Sequence, residues 1–293
     1  SSKSLWAILL LVFITFCWGI TFVFIKWTLA ELDTYYFLFL RFALATFLLS
    51  ILFRKKLQNI KSQTIVAGLV LSTMLAGALI TQTEALRFTT ASNSALITGL
   101  YLVFVPMLLA MFGKKSRVPM HSFLGAIVSF IGLYLLTRYN HAAINKGDVL
   151  TLFCALFAAG HIIFTDIFAK KHPMLPLAIF QFLFVAIICG GVSLVKESYT
   201  LSISPNAWLT VVFCGVFCTA IAFTVQIWAQ RTIDPTRAGV IFALEALFGA
   251  LAGHFLAGEQ FTQIALIGAW LMIIGMALAE IKPMAKYLID KLV

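Results

Sequence analysis

Charge is what this sequence has least of. Only 11 % of its 293 residues are Asp, Glu, Lys or Arg, and just 11 residues are acidic. Soluble domains carry about 25 % charged and 45–50 % apolar residues. Here the hydrophobic share is 62 % and the mean hydropathy is +1.02. A water-soluble globule of this size cannot hide that much apolar side chain, so a soluble enzyme, a nucleic-acid binder and a disordered chain are all poor fits. The five cysteines (Cys17, Cys154, Cys189, Cys214 and Cys218) all lie in apolar runs. None has metal-ligand spacing to a histidine, and an odd number gives no disulfide framework. Such cysteines pack as small hydrophobes. The chain also lacks a zinc-protease His-Glu-x-x-His motif, paired aspartates for a metal-bound diphosphate, and Ser–His spacing suited to intramembrane proteolysis. It has no phosphate-binding loop, so ATP drive is not expected. No metal or cofactor is implied beyond a proton that could couple transport.

Apolar runs dominate what is there. A bilayer-spanning helix needs about 20 predominantly apolar residues. Ten segments qualify: 5–29, 35–53, 65–86, 93–112, 121–137, 149–168, 175–195, 206–229, 237–257 and 262–281. The first is too long for a removable leader and has no small-residue cleavage site. The longest interruption, residues 138–148, leaves no room for a soluble domain. Pro106 inside the fourth segment predicts a bend there. Lys282 to Lys291 reads equally as a short interfacial helix or a frayed tail.

The net charge of +10 resides in short basic clusters between these runs, the pattern of loops facing anionic headgroups. Ten crossings put Lys3, Arg54, Lys55, Lys56, Lys61, Lys114, Lys115, Arg117, Lys170, Lys171, Arg231, Arg237, Lys282, Lys286 and Lys291 on one side. The opposite side, with its helix ends, holds Lys26, Arg41, Arg87, Arg138, Lys146 and Lys196. Basic loops stay cytoplasmic. Both termini are therefore expected in the cytoplasm, and a bacterial inner (plasma) membrane is the expected location.

The two halves resemble each other. At an offset of 144, Ala85-Leu86-Arg87 aligns with Ala229-Gln230-Arg231, Gln82 with Gln226, and Tyr101 with Glu245. At 143, Leu124-Gly125-Ala126 through Gly132 aligns with Ile267-Gly268-Ala269 through Gly275. Earlier, Gly19 pairs with Gly160, and Leu40-Arg41-Phe42 with Phe180-Gln181-Phe182. Five helices per copy is odd, so the second copy enters the membrane from the opposite side. Residues 1–139 and 140–293 are thus expected as two inverted five-helix repeats of an all-α polytopic membrane protein. Inverted repeats characterise alternating-access carriers.

These motifs carry a family resemblance. Trp18-Gly19 with Phe22 and Lys26, Leu40-Arg41-Phe42, Ala85 through Ser92, Pro106, and Leu124-Gly125-Ala126 with Gly132 resemble the EamA-type drug/metabolite transporter family. Thr219-Ala220, Thr236-Arg237-Ala238, Leu244-Glu245, Gly258-Glu259 and Gly268-Ala269 look like its second repeat. The chain departs from the pattern with Lys114-Lys115 in place of Gly-Glu and with Ala246 where proline is usual. The resemblance implies ten helices and export or exchange of small metabolites or drugs. An uncoupled facilitator of the same fold remains the alternative.

Ionisable groups at membrane depth are functional candidates. Glu245 lies roughly 13 Å into the ninth segment at 1.5 Å per residue, near the midplane. There it could exchange a proton, pair with a cationic substrate, or bond a neighbouring helix. Tyr101 is its repeat mate, and Thr98 shares a helix face with Tyr101. Gln82 and Gln226 form a second symmetric pair, suited to a gate or to joining helices. His161 is a further candidate, as packing residue or proton relay. Trp18, Phe22, Trp228 and Phe242 could form an aromatic wall, which with Glu245 would suit a flat organic cation. Arg41 is expected to snorkel outward or to meet Glu84. Glu84 and Arg237 complete the set of structural or gating candidates. The partners expected are a small-molecule substrate and an anionic bilayer, with neither nucleic acid nor ATP.

Overall fold

A computed structural model describes residues 2–112, 145–196, 202–233 and 235–275, with 124–125, 127–129, 131–132, 134–135 and 278. All regular structure among the described residues is helical. The helices are α1 (Ser2–Thr28), α2 (Thr34–Leu52), α3 (Ser62–Ala85), α4 (Ala91–Thr98), α5 (Tyr101–Phe112), α6 (Lys146–Ala169) and α7 (Met174–Lys196). They continue with α8 (Pro205–Gly215), a π-turn (Val216–Ile221), α9 (Ala222–Ala229), α10 (Pro235–Phe242), α11 (Leu244–Ala257) and α12 (Gln263–Gly275). The described residues between 124 and 135 are also helical. Among the described residues, seven helical stretches are long and apolar enough to cross a membrane, counting α4–α5 and α8–α9 as single spans. Part of the predicted fifth segment, Lys114, Lys115, Asp234, the side chain of Arg237 and Lys282 to Lys291 lie outside the described residues.

Exposed Trp6, Phe13, Phe47, Leu194, Phe255 and Trp270 make the outer surface apolar, as lipid contact requires. Inside, α2 packs on α7, α3 on α6 and α7, α1 and α4 on α11, and α5 on α6. Small residues set the closest crossings. A methyl at Gly132 would meet the Gly268 carbonyl at 2.5 Å, and one at Gly275 would meet the Ser129 backbone nitrogen at 2.5 Å. The repeated Gly-Ala…Gly motif is therefore a helix crossing viewed from each partner.

Hydrogen bonds identify the two ends of the bundle. At one end, Arg87 donates to the carbonyls of Leu29 (3.3 Å) and Leu32 (3.1 Å), closing the C-terminus of α1. The Thr89 hydroxyl donates to Asp148 at the start of α6 (2.7 Å), and Lys26 Nζ donates to the Thr89 carbonyl (2.6 Å). At the other end, Arg231 donates to Ala169 (3.0 Å) and His172 (2.9 Å) carbonyls, closing the C-terminus of α6. Cations are favoured at helix C-termini, where unpaired carbonyls collect. The two copies of the Ala-x-Arg motif thus do the same work at opposite ends. α3 ends at the end of the bundle where α8 begins.

Pro106 does not mark the break in the fourth span. The helix interrupts earlier, at Gly99-Leu100, and Pro106 sits within continuous α5. The ninth span interrupts at Ala243, which is Gly99 plus 144. Tyr101 directly follows the first interruption, and Glu245 is the second residue after the other.

Candidate functional site

The interruptions open onto a cavity of about 80 Å³ lined by α1, α2, α3, α4, α5, α6, α9, α10 and α11. Trp18, Gln82, Thr98, Tyr101, His161, Gln226, Phe242 and Glu245, all singled out from sequence, line this one space. Arg41 joins them, and Glu84 does not. Glu84 instead accepts from Thr34 (2.8 Å) and pairs with Arg87 at 3.6 Å.

The Tyr101 hydroxyl donates to Glu245 Oε2 across 3.4 Å. This long bond joins the repeat mates directly. Both side chains are almost wholly buried. Gln82 Nε2 reaches Thr98 Oγ1 at 3.5 Å, and Thr98 Oγ1 lies 4.0 Å from Cys154 Sγ. His161 Nε2 pairs with Gln181 Oε1 at 3.1 Å, so its ring is held on one nitrogen. Gln226 is held through Gln230 (3.0 Å), which donates in turn to the Ile162 carbonyl (3.0 Å). The Trp18 ring lies 5.2 Å from Phe223 and 5.5 Å from Phe242, within the range of aromatic pairing. Phe22 and Trp228 stand outside this wall, whereas Phe223 belongs to it.

Arg41 overturns the expectation of a snorkelling residue. Its side chain is 2 % exposed. Nε donates to Thr219 Oγ1 (2.6 Å) and Nη2 to the Cys218 carbonyl (3.2 Å). The same carbonyl accepts from Trp18 Nε1 (2.9 Å). The π-turn explains this seat. The Ala222 N–H bonds Phe217 and Thr219 carbonyls and bypasses Cys218. The carbonyl of Cys218 is left to serve side chains, as π-turns often do at functional sites. Helix pairing gives the count: Ser62–Ala85 has 24 residues and Pro205–Ala229 has 25. The extra residue is absorbed in the π-turn. No sequence feature marked that insertion.

Carboxylates tie the two halves together at the Glu84 end. Glu259 accepts from the backbone N–H groups of Ala91 (2.8 Å) and Ser92 (3.0 Å), the exposed N-terminus of α4. Anions are favoured there. Gly258, at φ 66°, ends α11 in the left-handed conformation that aims Glu259 back. Glu31 accepts from the Ser204 N–H and hydroxyl, both at 2.7 Å, at the start of α8. Those bonds, side chain first, hold the Glu31 carboxyl below its ordinary pKa. At the other end His172 Nδ1 faces Thr64 Oγ1 at 3.1 Å, and burial, then Lys171, lowers its pKa.

A sequence model of the EamA-like transporter family matches residues 5–138 and again 145–280. The chain belongs to the EamA-like transporter family. This member is 27 % identical over 280 residues to an uncharacterized transporter of Archaeoglobus fulgidus, spanning 96 % of this chain and 87 % of the relative. An uncharacterized transporter of Methanothermobacter thermautotrophicus is 24 % identical over 200 residues, spanning 64 % and 56 %. One solved crystal structure, 17 % identical, superposes with a TM-score of 0.69 over 93 % of this chain and 96 % of its own, a likeness of fold. The EamA-like protein is therefore an integral membrane protein and a membrane transporter. Its cavity carries Arg41 as well as Glu245, so a lone organic cation meets a like charge there.

Proposed function

We propose that this protein is a secondary carrier that moves a small organic solute through the central cavity by alternating access. The observation that carries this reading is the convergence of polar residues from both halves on one buried space. Glu245 and Tyr101, Gln82 and Gln226 are repeat mates that enter it in pairs. The architecture proposed is ten spans in two inverted repeats, residues 1–139 and 140–293. Opposite running of α3 and α8–α9, and matched interruptions at Gly99 and Ala243, support it. Discontinuous helices at mid-depth are where carriers bind cargo. The proposed orientation puts the Lys170 end, the basic loops and both termini in the cytoplasm of a bacterial plasma membrane, with net export.

A cavity of about 80 Å³ is smaller than the 300–1,000 Å³ typical of drug-sized ligands. Cargo is therefore a small metabolite, or the walls part as the site opens. Glu245 is proposed to take up and release the proton that couples the cycle. Proteoliposomes with an imposed pH gradient test this. Wild-type protein should accumulate a cargo found by thermal-shift screening, and Glu245→Gln should abolish gradient-driven accumulation while remaining folded. Equal uptake by both proteins removes Glu245 from the mechanism. Flux indifferent to the gradient in the wild type makes the protein a facilitator.

A further inference from the structure

Arg41 poses a problem that proton exchange at Glu245 does not solve. A buried guanidinium is costly unless an anion answers it. Among the described residues no carboxylate lies within 4 Å of Arg41, since the ion pairs are Arg87 with Asp33 and Glu84, and Lys170 with Asp166. Its described hydrogen bonds are to a hydroxyl and a carbonyl, which are neutral, and they use two of the five N–H donors. The remaining donors belong to a side chain that lines the cavity. The helix winding is altered to hold the guanidinium there, through the freed Cys218 carbonyl. Glu245 is the carboxylate lining the same space.

We infer that Arg41 is the anion-recognising group of the cavity, and that a carboxylate-bearing solute and a proton on Glu245 occupy the cavity together. This rests on the cavity being the transport site. The argument is one of charge balance. With the cavity empty, ionised Glu245 is the counter-charge available to Arg41 across a dry space. A solute carboxylate at Arg41 makes that second anion redundant and repelled, so a proton from the aqueous phase settles on a Glu245 carboxylate oxygen. Solute, Arg41 and protonated Glu245 then sum to zero, and a neutral set is the least costly to carry through a low-dielectric barrier. The other titratable groups around Glu245 are Tyr101 on α5 and Cys154 and His161 on α6. Beside Arg41 lie Cys214 on α8 and Cys218 on the π-turn. The rings of Trp18, Phe223 and Phe242 complete the cavity, so the solute carries its carboxylate on a small flat apolar body.

The test is equilibrium binding of benzoate, benzamide and benzylammonium to purified full-length protein across pH 5.5 to 8, by calorimetry. Benzoate should bind better than its neutral and cationic isosteres, tightening by up to about tenfold per pH unit of acidification, the limit for one linked proton. In Glu245→Gln, which mimics the protonated acid, benzoate should bind tightly and without pH dependence. In Arg41→Gln the preference for benzoate should vanish, and in Arg41→Lys it should weaken but persist. If Arg41→Gln does not fold, Glu245→Gln and Arg41→Lys decide the matter. Benzylammonium binding with no benzoate binding overturns the inference and leaves the transport site standing. Binding of none of the three overturns it as well. PH dependence lost in His161→Gln but kept in Glu245→Gln overturns the linkage.

Discussion

At the scale of single residues, the strictest requirement is space rather than charge. Gly253 on α11 faces Ser92 on α4, and a methyl built on it would meet the Ser92 hydroxyl and lie 2.6 Å from Glu259. Gly253→Ala must push apart the helices on which the Glu259 contact depends. Overpacking of this kind costs about 1–3 kcal/mol. Gly191 on α7 has nothing within 4 Å of the same added methyl. Gly191→Ala should be neutral or stabilising by up to about 1 kcal/mol through helix propensity. Thermal midpoints in detergent should therefore fall for the first variant and hold or rise for the second. A Gly253→Ala protein as stable as wild type would show that the crossing is looser than its geometry. The spacing Gly249-x-x-x-Gly253 is itself a small-residue packing signal, and the partner is what it does not name.

At the scale of elements, helix ends carry the polar work. Arg87 and Arg231 each close the C-terminus of the first helix of their half, and Arg87 also has acidic partners, Asp33 at 3.4 Å and Glu84 at 3.6 Å. Exposed pairs of this sort contribute little on their own. Glu31 is a cleaner probe. Its pKa is depressed in the fold, so its contribution is present above the ordinary glutamate range and disappears as pH falls through and below it. Glu31→Gln should lower the thermal midpoint at neutral pH, and the gap to wild type should close at about pH 3, where glutamates are protonated. A gap that persists in acid would mean that the bond to Ser204, not the charge, does the holding. The ends themselves were legible: predicted spans such as 35–53 and 149–168 differ by a few residues from Thr34–Leu52 and Lys146–Ala169. The sequence pointed to a bend at Pro106, a visible helix breaker, and carried no signal for the interruption six residues earlier. The break at Gly99-Leu100 depends instead on how α4 and α5 pack around the cavity.

At the scale of the molecule, the proposed carrier must open at one end while closed at the other. The Glu259 contact joins the α11–α12 connection to the start of α4, so it latches one end. Replacing the carboxylate by an amide removes its attraction to the helix N-terminus, worth roughly 0.3–1 kcal/mol. Cys154 lines the cavity and is buried, which makes it a reporter. In a variant whose only cysteine is Cys154, Glu259→Gln should speed maleimide labelling from the Glu259 end by about twofold to fivefold. Labelling from the opposite end should slow. Faster labelling from both ends would indicate general loosening, not a gate.

The sequence by itself determined the solvent in which this chain folds and the approximate bounds of its long apolar helices. Those follow from hydropathy, which is local and additive. It also selected most of the polar groups that line the cavity, because a polar group at membrane depth has few reasons to exist. Arg41 went the other way. A long cationic side chain six residues into a helix could as easily reach the interface, and only the π-turn on a helix 178 residues distant gave it a buried partner in Thr219. Which polar groups share one space, and which charges face it together, are matters of packing between distant elements, and the tertiary structure alone decided them.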